Sequence, residues 1–110
     1  MAYELNGTVV EHDNEGFLKD VSLWSPELAA VIADAENIEL NDDAWEVVNF
    51  LRHYYEQYQI APGARILTKA IKDKLGPDKG NSNYLYGLFP YGPGRQGCKI
   101  AGLPKPTGCI

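Results

Sequence analysis

The sequence predicts a mostly helical α+β fold: a small helical bundle with a helix-turn-helix-like part, an N-terminal β-hairpin and a flexible C-terminal arm. Three observations predict it. Asn6-Gly7 stands between two short β-prone runs, the signature of a tight hairpin. Residues 25–89 carry apolar side chains at helical spacing, divided by caps, glycines and prolines. From Tyr91 that periodicity stops, and Gly92, Pro93, Gly94, Gly97, Gly102, Pro104, Pro106 and Gly108 make up eight of the last twenty residues.

Each element follows in order. Tyr3-Glu4-Leu5 and Thr8-Val9-Val10 are the hairpin strands, Asp13-Asn14-Glu15-Gly16 is a second turn, and Phe17-Leu18 can return as a short third strand. Ser25 caps a first helix with Pro26 at its first position, Glu27 at the positive end of the helix dipole and Trp24 placed as a hydrophobic staple. A second helix starts at Asn41 and carries Trp45, Val48, Leu51, Tyr55 and Tyr58 on one stripe until Ile60-Ala61-Pro62-Gly63 breaks it. A third runs from Ala64 to Leu75 with Ile66, Leu67, Ala70, Ile71 and Leu75 facing inward, stopped by Gly76-Pro77. Ser82 caps a short fourth through Leu88-Phe89, closed by Pro90. The expected division is a compact domain over residues 1–91 and a mobile arm over residues 92–110, whose glycines and prolines offer few anchoring contacts.

A chain of 110 residues fits one domain, and 45% hydrophobic residues suffice for a modest core. The first residues lack the basic and apolar regions of a signal peptide, and no apolar run reaches membrane-spanning length, so a cytoplasmic protein is expected. Charge is divided unevenly. Residues 1–78 hold all 15 acidic side chains and six of the ten basic ones, a formal −9; residues 79–110 hold Lys79, Arg95, Lys99 and Lys105 and no acid, a formal +4. The basic tail suits an anionic partner, with Arg95, Lys99 and Lys105 as the candidate contacts, yet it is too small a charge for bulk nucleic-acid binding.

Chemistry in the body is sparse. His12 and His53 fit no catalytic constellation, and there is no P-loop or dinucleotide fingerprint. With Cys98 and Cys109 they make four conceivable zinc ligands, but without the short paired spacings of a zinc site; neither a metal nor a cofactor is expected. The two cysteines stand apart in character. In a reducing compartment a structural disulfide is disfavoured, and Cys109, followed only by Ile110, is hard to bury. Ten residues separate the two sulfurs. Extended, that stretch reaches ~36–40 Å, and as a coil its ends average ~17–20 Å apart, so a Cys98–Cys109 bond can close and reopen. A screened, solvent-exposed thiol is ordinary and slow, which points to activation inside a partner's pocket.

The run Gly80-Asn81-Ser82-Asn83-Tyr84-Leu85-Tyr86 with Leu88-Phe89-Pro90, and above all Cys98-Lys99-Ile100-Ala101-Gly102-Leu103-Pro104-Lys105-Pro106-Thr107-Gly108-Cys109-Ile110, closely resembles the DsrC/TusE family. Gly16-Phe17-Leu18, Trp24-Ser25 and Trp45-Glu46-Val47-Val48 extend the resemblance over nearly the whole chain. The resemblance implies a sulfur carrier rather than a stand-alone enzyme, with Cys109 as the sulfur-bearing residue. TusE-type members relay sulfur toward tRNA thiolation and generally lack the upstream cysteine; DsrC-type members have it, and Cys98 matches. The implied partners are dissimilatory sulfite reductase, a DsrE-type persulfide donor and a membrane-associated Dsr electron-transfer complex, with the sulfur passing through a Cys98–Cys109 trisulfide. A different class of function, DNA binding through the third and fourth helices with the hairpin as a wing, is opposed by the short fourth helix and the acidic body.

Overall fold

The computed structural model describes residues 1–106, and Cys109 lies outside them. The hairpin forms as its sequence dictates. Strands β1 (Ala2–Leu5) and β2 (Thr8–Glu11) pair antiparallel in the register Tyr3↔Val10 and Leu5↔Thr8. Asn6 and Gly7 both take positive φ, 51° and 82°, as a type I′ turn requires. Asp13 builds the next turn by accepting from the backbone N–H groups of Glu15 and Phe17. The expected third strand shrinks to one bridge, His12 to Leu18.

Five α-helices follow among the described residues. In α1 (Pro26–Ala35) the Ser25 side chain accepts from the Leu28 N–H, and in α2 (Asp42–Tyr58) Asn41 does the same for Ala44. Helix α3 (Ala64–Leu75) begins after Gly63 and ends at Gly76, φ 94°. Its inward face is narrower than the sequence suggests: Leu67 and Ile71 are buried, whereas Ile66 and Leu75 are exposed. Helix α4 (Ser82–Leu88) is capped by Asn81, not Ser82, because the Asn81 side-chain Oδ1 accepts from the Tyr84 N–H. None of these helices is long and apolar enough to cross a membrane.

The main departure from the sequence reading is α5 (Pro93–Ile100), a helix in the segment expected to be irregular. It packs against α1, α2, α3 and α4. The glycines read as a source of freedom are sites of close approach. A Cβ on Gly94 would lie 2.8 Å from the Ala64 nitrogen, and one on Gly97 would lie 2.8 Å from Leu51 Cδ1. Pro93 sits at the first helical position, where its ring is preorganised. The helix then stops in a Schellman motif: Leu103 N–H donates to the Cys98 carbonyl, Gly102 N–H donates to Lys99, and Gly102 takes φ 72°. Cys98, Ile100, Ala101 and Leu103 thereby join the core formed by Leu28, Ile32, Val48, Leu51, Leu67, Ile71, Leu85 and Phe89.

Candidate functional site

Cys98 lies on the inner face of α5 with no solvent exposure. Its Sγ is 3.7 Å from the Pro62 carbonyl oxygen, to which it donates. Burial pushes the thiol up to about 12, because an apolar surrounding cannot solvate a thiolate. In this arrangement Cys98 is a protonated, inert core residue. Any reaction at Cys98 would require that α5 yield.

The neighbours of Cys98 on α5 are tied down by polar contacts. Lys99, 5% exposed, turns its Nζ to Glu36 at 3.2 Å and passes 5.4 Å from the centre of the Phe17 ring. Gln96 donates to the same Glu36 carboxylate at 3.2 Å and accepts from the Tyr91 N–H at 2.9 Å. Glu36, just past the end of α1, thus holds two side chains that flank the cysteine. A second acid, Glu15, holds Arg95 at 2.9 Å and Lys105 at 2.8 Å. The Lys105 hydrogen bond keeps the Glu15 carboxyl below the usual carboxylate range, with the charges of Lys105 and Arg95 adding to it.

The far end of α5 is closed by two donors. The Trp24 indole N–H donates to the Ile100 carbonyl at 2.8 Å, and Arg52 Nη1 donates to the Ala101 carbonyl at 2.7 Å. Arg52 also stacks 3.8 Å from the centre of the Trp24 ring. A guanidinium at a helix C-terminus satisfies carbonyls that have no partner within the helix and complements the negative end of the dipole. Gly102 fits beneath Trp24, where a Cβ would lie 2.2 Å from the indole Cδ1.

Of the residues read as functional from sequence, the structure brings Cys98, Arg95, Lys99 and Lys105 onto α5 and the turn after it. All three cations face acids of the same chain, Lys99 inward and the other two at the surface around Glu15. The expectation for Cys109 falls outside the described residues. Glu15, Glu36, Gln96, Trp24 and Arg52 were not legible as parts of this site. Trp24 was legible only as a staple for α1, and nothing in the local spacing of the other four marks them for this site; only the placement of α5 brings them together.

The family model described as DsrC-like protein matches residues 4–110. The sulfurtransferase TusE of Escherichia coli K12 is 53% identical over 104 residues, covering 94% of this chain and 95% of its own; that of Yersinia pestis is 49% identical over 107 residues, covering 97% and 98%. Among solved structures, Allochromatium vinosum DsrC by NMR superposes with a TM-score of 0.88 at 54% identity, covering 99% of this chain and 97% of that one. The oxidised γ-subunit of dissimilatory sulfite reductase (DsrC) from Archaeoglobus fulgidus gives 0.86 at 40% identity over the whole of both chains. Sequence and fold agree over nearly every residue, and the chain belongs to the DsrC-like family.

Proposed function

We propose that this chain is a sulfur-relay protein of the DsrC type, which takes up sulfur on Cys109 and closes onto Cys98. The observation that carries the reading is the second cysteine. A family whose model spans residues 4–110 here presents Cys109 one residue from the end, and this member also has Cys98, set on a helix of its own. In the loading step the outer sulfur of a donor persulfide passes to the Cys109 thiolate, and the donor leaves as a thiolate. In the reductive direction, sulfur two electrons above its elemental state joins both thiols as a trisulfide with release of two waters; four electrons and four protons then return the two thiols and sulfide.

The partners in this reading are dissimilatory sulfite reductase, of which the similar Archaeoglobus fulgidus protein is the γ-subunit, a DsrE-type persulfide donor, and a membrane-associated electron-transfer complex that the protein meets by docking. A cytoplasmic setting, where thiols stay reduced, suits a reversible carrier. Arg95 and Lys105, at the surface around Glu15, are the cations available to steer an anionic channel toward the tail. Their joint replacement by Gln is expected to slow association with the purified reductase at low salt. A salt-independent on-rate, equal for both proteins, would remove the steering role.

A second reading, relay toward tRNA thiolation, is supported by the 53% identity to TusE. It needs Cys109 alone, so tRNA thiolation in cells would survive Cys98→Ser, whereas the DsrC-type cycle would not. The intact mass of protein isolated from cells tests the carrier reading itself: an added sulfur atom, or the loss of two hydrogens, supports it. A wholly unmodified dithiol under active sulfur metabolism speaks against it.

A further inference from the structure

Away from α5, one helix carries charge opposite to its surroundings. Residues 1–78 contain six basic side chains, and four of them, Arg65, Lys69, Lys72 and Lys74, lie on α3, whose one acid is Asp73. All four are exposed. The ion pairs among the described residues, Glu46 with Lys79, Glu15 with Arg95 and Lys105, and Glu36 with Lys99, use none of them.

Arg65, Lys69 and Lys72 are spaced i, i+4, i+7. That spacing places them on one face, along about 10.5 Å of the helix axis. They line an open groove of about 710 Å³ between α3 and α4, with Thr68 and Asp73 on the same wall and Ser82 and Tyr86 opposite. Gly80 sets its shape. A Cβ there would lie 2.2 Å from the Lys72 Cα, so only glycine lets the start of α4 rest directly on α3. Thr68 donates its hydroxyl to the Ala64 carbonyl at 2.6 Å, which leaves the cations and the α4 hydroxyls to face an occupant.

We propose that this groove is a docking site for an acidic segment of a partner protein, read by Arg65, Lys69 and Lys72. Charge selects an anion, and extent selects its kind. Three cations over two helical turns match a short run of carboxylates on one helix or strand. They neutralise too few phosphates to hold a nucleic acid, and the net acidity of the body repels a polyanion that runs beyond the groove. Ser82 and Tyr86 add hydroxyl donors suited to carboxylates. The docking site is independent of the sulfur chemistry, although it is built next to it: Gly94, near the start of α5, rests on Gly63 and Ala64, where α3 begins.

Amide NMR shifts of the full chain, titrated at low salt with a short polyglutamate peptide, test this. Saturable shifts centred on Arg65, Lys69, Lys72 and Ser82 are expected, fading with salt. In Lys69→Gln/Lys72→Gln, with an otherwise unchanged spectrum, binding should weaken about fourfold, since each exposed ion pair contributes roughly a factor of two. Absence of shifts there, or equal binding by the variant, would overturn the site. Tighter binding of an oligonucleotide of equal charge would overturn the choice of partner, as would concentration-dependent shifts of the protein alone, which would assign the groove to a second copy.

Discussion

An ammonium group with as little access to water as Lys99 needs a counter-charge, and Glu36 supplies it while also accepting from Gln96. Removing that carboxylate leaves a nearly buried cation unpaired beside Cys98. Glu36→Gln is therefore expected to cost about 2 kcal/mol, below the range for a fully buried pair because Glu36 is partly exposed. The same variant should open α5 more often. With the thiol at about 12, its thiolate fraction near neutral pH is on the order of 10⁻⁵, so alkylation of Cys98 proceeds through opened molecules. Urea unfolding reads the first effect, and the rate of Cys98 alkylation, expected to rise at least tenfold, reads the second. Unchanged stability and an unchanged rate would show that Glu36 does not hold α5.

At the scale of elements, the hairpin, the starts of α1 and α2 and the existence of the first four helices were legible because each is specified locally, whereas the cap of α4 fell one residue earlier than expected. Asn6-Gly7 chooses its turn, Ser25 and Asn41 choose their helices, and Gly76-Pro77 ends one. Helix α5 was not legible, since two of its eight residues are glycines with poor helix propensity, and what favours it is the fit of Gly94 and Gly97 against neighbouring elements. The Schellman turn was equally hidden, although Gly102 followed by Leu103 is a usable signal once a helix over the preceding residues is suspected. Gly102→Ala should cost about 2 kcal/mol or more. It places a Cβ at φ 72° and within 2.2 Å of the indole of Trp24. Thermal unfolding measures the loss, and a fall confined to under about 0.5 kcal/mol, within the range of neutral surface substitutions, would mean that the turn relaxes without cost.

For the whole molecule, the consequence is a domain closed around one of its two cysteines. The candidate site was legible as residues, Cys98 and Cys109, but not as an environment, because burial of Cys98 depends on contacts with α1, α2, α3 and α4 together. The proposed function, joined to the burial of Cys98, gives an order of events to test: sulfur arrives at Cys109 while Cys98 is shut in the core, and Cys98 joins when α5 yields. The most direct test exposes wild type, Cys98→Ser and Cys109→Ser to a persulfide donor and follows each by intact mass and peptide mapping. The expected result is one added sulfur on the C-terminal peptide of wild type and of Cys98→Ser, none on Cys109→Ser, and an intramolecular Cys98–Cys109 link in wild type alone. Equal loading of Cys109→Ser, or sulfur found first on Cys98, would contradict the account.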